Sequence, residues 1–403
     1  MSRPPCEVAE IFRRFGPDYR RTHDGHLSLG QIKVMAAIEK CRTAALGGHV
    51  DRCDSCRFTR ISYNSCGNRH CPKCQAAAAK EWLAEREAEL LPVPYFHLVF
   101  TIPEQLNPIV FHNKAVAGDT LFKTAAKTVL ILGADPKWLG AKLGLTAVLH
   151  SWGRAMTFHP HIHMIVPGGG ISLDGQRWVG CKPRFFLPVK VLGSLFRRLF
   201  LERLRAAHKE LRFQGEMAGL ADPDAFRRFL APLRQINWNV YAKPPFAGPE
   251  EVLKYLARYT HRIAISNSRI VSIDEDAVRF RYKHRKDGKV TMKMMTVTPD
   301  EFIRRFLLHV LPDGFHRIRH YGWLASGSKA KNLARARELL NVPPPALKPA
   351  REFVDEDGVV HEDNSTLPPC PCCGGHMTII EWFERGCLPR HQPSPPTPRI
   401  DSS

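Results

Sequence analysis

Two Cys-x2-Cys pairs, Cys53 with Cys56 and Cys71 with Cys74, are separated by fourteen residues. Each pair has the spacing at which a knuckle offers two thiolates to a metal, and two knuckles supply the four ligands of one tetrahedral zinc ion. A segment this short and polar buries too little apolar surface to fold by itself, so metal binding becomes its folding energy. Inert buried thiols would not fall into two knuckles. Cys41, His49, Cys66 and His70 are further soft ligands beyond the four that one ion needs, and a second zinc using some of them stays open. The reading is a zinc-binding module over residues 47–80. It follows a basic helical segment, 1–46, with Val8, Ile11, Phe12 and Phe15 near helical spacing. Arg13, Arg14, Arg20 and Arg21 in that segment are either phosphate contacts or a solvated face.

Charge narrows the partner. Lys and Arg outnumber Asp and Glu by 59 to 39, a formal net charge of +20, which favours a polyanion, with nucleic acid first. Asn64, Arg69 and Lys73, interleaved with the thiols, suit DNA contacts. No run of about twenty apolar residues and no apolar leader are present, so a cytoplasmic protein without membrane association is expected. Twelve cysteines in such a chain are metal ligands or buried thiols rather than a disulfide framework.

The central region carries the chemistry. Phe158 to Val166 reads Phe-His-Pro-His-Ile-His-Met-Ile-Val and ends at Pro167 and a glycine run. As a strand it turns His161 and His163 to one face and Ile162 and Met164 to the other. The two imidazoles either converge on a metal or are satisfied by hydrogen bonds. Strands are expected at Tyr95–Ile102, Leu143–Ser151 and Ile236–Tyr241, with helices at 108–132 and Val189–Leu211. Interleaved in this way, they predict an α+β catalytic domain over 81–300 whose sheet turns its histidine face to solvent. Gly248-Pro249-Glu250-Glu251 starts a helix that runs through residues 252–262. There Tyr255 and Tyr259 share a face, flanked by a stripe of Lys254, Arg258 and Arg262. Such a helix fits a sugar-phosphate backbone, or else buries both rings with their hydroxyls at the rim. Hairpins at 263–297 carry Lys283, His284, Arg285, Lys286, Lys289 and Lys293 as a phosphate platform. Basic helices fill 301–345. The tail, 346–403, is proline-rich and expected to be largely disordered, with Cys370-x2-Cys373, His376 and Cys387 as weak evidence for a further zinc.

Taken together, the cysteine module, the Phe-His-Leu-Val-Phe-Thr-Ile-Pro strand, the His-Pro-His-Ile-His motif and the Tyr-x3-Tyr helix resemble the two-tyrosine transposases of the IS ninety-one type of bacterial insertion sequence. Their histidine-hydrophobic-histidine signature names the HUH class. The resemblance covers most of residues 40 to 340. It implies an HUH-type antiparallel sheet with flanking helices, preceded by the zinc module and followed by basic helical segments. It also implies cleavage and rejoining of single-stranded DNA through a 5′-phosphotyrosine, with Tyr255 and Tyr259 as nucleophiles and a divalent ion, Mg²⁺ or Mn²⁺, on His161 and His163. Cys53, Cys56, Cys71 and Cys74 would hold structural zinc. A third ligand to the catalytic ion is expected among His97, His150, His159 and Glu251. The protein would be bacterial, cytoplasmic and associated with the nucleoid. The same chemistry would serve a replication initiator or relaxase, and a non-catalytic zinc-dependent DNA-binding protein would use these histidines and tyrosines for packing alone.

Overall fold

A computed structural model describes residues 6–87, 89–243, 251, 264–286, 289–344, 352–354, 360–362, 367–391 and 393. From the N-terminus the elements are α1 (Val8–Thr22), α2 (Leu29–Lys40), β1 (Gly48–Cys53), β2 (Thr59–Tyr63), α3 (Pro72–Glu87), β3 (Tyr95–Thr101), α4 (Asn107–His112) and α5 (Lys114–Ala134). Then come β4 (Ala141–Lys142), β5 (Gly144–Trp152), β6 (Phe158–Pro167), β7 (Gly169–Ser172), β8 (Trp178–Gly180), α6 (Val189–Ala206), α7 (Pro223–Leu230) and β9 (Val240–Lys243). The remainder comprises β10 (Ile270–Ile273), β11 (Val278–Lys286), β12 (Lys289–Val297), α8 (Pro299–Leu307), β13 (Ile318–Gly322), α9 (Lys329–Leu339), the hairpin β14 (Glu352–Val354) with β15 (Val360–Glu362), and β16 (Met377–Phe383).

Strict alternation in the central strands decides the layering. β13-β5-β6-β3-β9 form a five-stranded sheet in that order, every pair antiparallel. Phe96, Leu98 and Phe100 of β3, Leu145, Ala147 and Leu149 of β5, and Ile162, Met164 and Val166 of β6 share one apolar core. α5 and α6 complete it with Leu121, Phe122, Ala125, Val129, Phe196 and Phe200. Residues of the opposite parity, including His97, Val148, His150, His161, His163 and Ile165, therefore lie on the other face. That face was expected to be open. Instead Val148 and Ile165 pack with Trp82 of α3, Trp323, and Leu333 of α9, and all four histidines are buried, none more than 9% exposed.

The helix expected at 108–132 is broken at Asn113, whose amide donates to the carbonyls of Ile109 and Arg212 while its oxygen accepts from the Arg212 amide. A second core joins segments that are distant in sequence. Val8, Ile11 and Phe12 of α1 and Val34, Met35 and Ile38 of α2 pack with Ile270, Phe280, Phe302 and Phe306, with Phe12 edge-on to Phe306 at 5.2 Å. Segments 1–46 and 301–345, separate in the sequence reading, thus share one core. The tail is also corrected: residues 367–391 are ordered, and β16 pairs with β1 in a three-stranded sheet, β16-β1-β2. Among the described residues no helix is long and apolar enough to cross a membrane.

Candidate metal centres and candidate active site

The two knuckles do not share an ion. Cys71 and Cys74 lie with Cys41 and Cys66, whereas Cys53 and Cys56 lie with Cys370 and Cys373, each group having its sulfurs within 4.8 Å of one another. The reason is the β1–β2 hairpin. Cys53 and Cys56 stand at its turn, and β2 then runs back antiparallel to β1 for five residues, about 17 Å at strand rise. The Asn64 amide reaches the Gly47 carbonyl and the Arg42 amide the Asn64 carbonyl, which delivers Cys66 to Cys41 at the opposite end. Cys71 and Cys74 open α3, where the positive end of the helix dipole favours thiolates.

The first cluster fits zinc. Cys41 and Cys66 each lie 3.6 Å from Cys74, close to the ~3.8 Å that ~2.3 Å zinc–sulfur bonds impose at tetrahedral angles and far beyond the ~2.05 Å of a disulfide. Hydrogen bonding within the cluster pushes the Cys74 and Cys41 thiols toward ionisation and holds those of Cys66 and Cys71 protonated. A cation lets all four ionise together. His49 and His70, the other proposed ligands, are engaged elsewhere. His49 Nε2 meets Asp51 Oδ1 at 3.0 Å. His70 Nε2 accepts from the Leu311 amide at 3.1 Å, and burial lowers its pKa to about 3.

The second centre lies on the sheet. His150 of β5 is directly across from His161 of β6, and His150, His161 and His163 form a three-histidine cluster. His161 Nδ1 donates to the His159 carbonyl at 2.7 Å. In the neutral ring this leaves a lone pair on Nε2, and His163 Nε2 faces it at 3.1 Å. Two bonds of ~2.1 Å at about 90° separate donors by about 3 Å, so this spacing suits adjacent positions of an octahedral ion. Burial holds His161 at about 4 and His163 well below its ordinary value, so both are neutral at physiological pH, the state in which an imidazole can bind a metal. His97 of β3 sets its Nε2 2.8 Å from His163 Nδ1, with the two rings stacked, and the indole of Trp152 stacks on His150. Of the four proposed third ligands, His150 therefore joins the pair. His97 lies behind His163, His159 gives only its carbonyl to His161, and Glu251 is exposed outside the cluster.

Lys254, Tyr255, Arg258, Tyr259 and Arg262 lie outside the described residues. The flanks of their segment are described. Lys243 ends β9 opposite His97 of β3, and Ala264 and Ile265 are buried in the same core as Met156 of the β5–β6 turn. The polar and basic side chains between the thiols make contacts within the fold. Arg69 binds the carbonyls of Leu311, Pro312 and Phe315, Lys73 pairs with Glu7 at 2.7 Å, and Asn64 donates to the Leu46 carbonyl. Arg304 and Arg305 both pair with Glu301. Lys283 and Lys293 of the β11–β12 ribbon are exposed.

Residues 11–102 match the family model described as "Transposase zinc-binding domain", and residues 144–332 match that described as "Putative transposase". Over 392 residues, 95% of this chain and 97% of the relative, the chain is 53% identical to "Putative transposase y4qJ" of Sinorhizobium fredii. The chain belongs to the IS ninety-one type transposase family. The transposase is also 26% identical to "Transposase for insertion sequence element IS801" of Pseudomonas savastanoi pv. phaseolicola, over 82% of this chain and 79% of the relative. No solved structure matches it. The zinc-binding match ends just past β3 and includes the Cys41, Cys66, Cys71 and Cys74 cluster, which is structural zinc chemistry. The second match contains His150, His161 and His163 of the transposase, and the ordered segment 367–391 lies beyond both.

Proposed function

We propose that this transposase cleaves single-stranded DNA and rejoins it at a new site through a 5′-phosphotyrosine intermediate, driving rolling-circle-like transposition of an insertion sequence. The observation that carries the reading is the buried cluster of His150, His161 and His163, in which His161 and His163 are neutral and spaced as adjacent ligands of an octahedral ion. The route of the chain supports it, since the nucleophiles Tyr255 and Tyr259 follow by twelve and sixteen residues a strand end paired beside His97. His150, His161 and His163 would hold Mg²⁺ or Mn²⁺, which would supply Lewis-acid polarisation of the scissile phosphate. The tyrosine hydroxyl gives up its proton as its oxygen bonds to phosphorus, the bond to the 3′ oxygen breaks, and that oxygen leaves as a 3′ hydroxyl. A 3′ hydroxyl attacking the phosphotyrosine reverses these changes, so no nucleotide is hydrolysed. Two tyrosines let one hold a cleaved end while the other cuts again. Lys254, Arg258 and Arg262 neutralise the adjoining phosphates, and the zinc module recognises the element end at the nucleoid.

The test is a labelled single-stranded element end incubated with the transposase and Mn²⁺ or Mg²⁺. An adduct that survives SDS is expected with wild type, and none with the double variant Tyr255→Phe/Tyr259→Phe. His161→Ala should abolish the adduct while leaving DNA binding largely intact. An adduct that persists in the double variant overturns the nucleophile assignment, and the absence of any wild-type adduct on a cognate end overturns the enzymatic reading.

A further inference from the structure

The cysteines left over from the zinc-binding domain are not left over in space. Cys53 lies 3.5 Å from Cys373 and Cys56 lies 3.6 Å from Cys370, again the separation of tetrahedral zinc ligands rather than of disulfides. The two knuckles have the same local structure. After the second cysteine of each comes a residue with positive φ, Arg57 at 58° and Gly374 at 79°. Its amide donates to the carbonyl of the first cysteine, Arg57 to Cys53 at 3.0 Å and Gly374 to Cys370 at 2.9 Å. Backbone amides also point at the sulfurs: Cys56 to Cys53 Sγ at 3.5 Å, Cys372 to Cys370 Sγ at 3.4 Å and Gly375 to Cys373 Sγ at 3.4 Å. Such donors stabilise negative charge on sulfur, the state in which it binds metal. A Cβ at Gly375 would come within 3.3 Å of the Cys53 and Cys373 sulfurs, so the backbone passes where a side chain would crowd the ligands. Around the cluster, Asp54 pairs with His376 at 2.8 Å and accepts from Thr378, and Cys53 pairs in register with Met377.

We infer that Cys53, Cys56, Cys370 and Cys373 hold a second structural zinc ion, which fastens β16 to β1 and makes the C-terminal segment part of the N-terminal module. Both family matches end before Cys370, so they account for only half of this ligand set. Cys372 lies between the two C-terminal ligands in sequence but outside the cluster. The zinc also closes a loop of more than three hundred residues, the size for which restricting the unfolded chain has the largest entropic effect.

The test is metal content of the full-length transposase after exhaustive dialysis, measured by plasma mass spectrometry with zinc as the only added metal, with His161→Ala/His163→Ala in every chain, the one that is wild type at the cysteines included, so that the histidine cluster takes up no zinc. Wild type should hold two zinc ions per chain and Cys370→Ser/Cys373→Ser one, with the slowly exchanging amides of residues 377–383 lost in the double variant. Cys372→Ser and Cys373→His should keep two, because zinc accepts a Cys₃His set. These two variants keep the test decisive if the double variant does not fold. One zinc in wild type, or two in the folded double variant, overturns the inference.

Discussion

Replacing His97 by alanine tests the electrostatics behind the three-histidine centre. For His163 to present a lone pair at Nε2, its proton must sit on Nδ1 and be accepted by His97 Nε2, 2.8 Å away. Burial holds His97 neutral, with its pKa lowered to about 4, so it is able to accept that bond at pH 7. In His97→Ala the acceptor is gone, and His163 favours the tautomer that points its proton at His161. Losing a buried hydrogen-bond partner costs about 1–3 kcal/mol, and removing a group that orients a ligand imidazole typically weakens metal binding about 10–100-fold. The ranges agree, since 100-fold is about 2.7 kcal/mol. Calorimetric titration with Mn²⁺ of protein carrying zinc on its thiolates alone should show this 10–100-fold rise in dissociation constant. Adduct formation should recover at saturating Mn²⁺. His97→Gln, which offers a carbonyl acceptor, should recover part of the affinity. An unchanged Mn²⁺ affinity in a folded His97→Ala protein would refute the reasoning.

Acid should destabilise the fold through its buried histidines. His70 and His309 are lowered to about 3, and His97 and His161 to about 4, all mainly by burial. Above the unfolded value of ~6.5 both states are neutral; below it the unfolded chain protonates first, and each such histidine costs about 1.4 kcal/mol per pH unit until its folded value is reached. The urea midpoint should therefore fall steadily from pH 7 to pH 5, and a flat profile would contradict the burial argument. Phe100→Ala removes a fully buried ring packed edge-on to Phe196 at 5.1 Å and should cost about 3–5 kcal/mol in denaturant unfolding; a loss under 1 kcal/mol would show that this core is loosely packed. Arg69→Ala frees the carbonyls of Leu311, Pro312 and Phe315 and should lower stability with little change in DNA affinity. The reverse outcome, seen in a gel shift beside a thermal melt, would restore Arg69 as a DNA contact.

What the sequence discloses here is what local periodicity encodes. The histidine strand falls at Phe158–Pro167 against Phe158–Val166 expected, and β3 and β5 fall within a residue of their expected starts, because alternation and a terminating proline act within a few residues. Long-range register was not legible. His150 joins His161 only because β5 and β6 pair with those residues opposite each other; the alternation of β5 already set His150 opposite in face to Leu149, a signal that needed the length of the β5–β6 turn to become a contact. The cysteine pairing failed for the same reason. Fourteen residues between knuckles suggested one ion, but five of those residues form β2 and carry the chain to the far end of the hairpin. The tail's composition hid β16, whose pairing depends on a partner more than three hundred residues upstream.

The core shared by α1, α2 and the 264–310 region delays burial of the N-terminal helices until most of the chain has been made. Val8, Phe12, Met35 and Ile38 leave the ribosome long before Phe280 and Phe302 exist to cover them, an interval of roughly ten seconds to a minute at ~5–20 residues per second. Until then the nascent N-terminus bears a naked apolar stripe that invites chaperones or proteases. A chain cut short by a premature stop codon ahead of residue 280 would therefore keep that stripe uncovered and be cleared rather than accumulate.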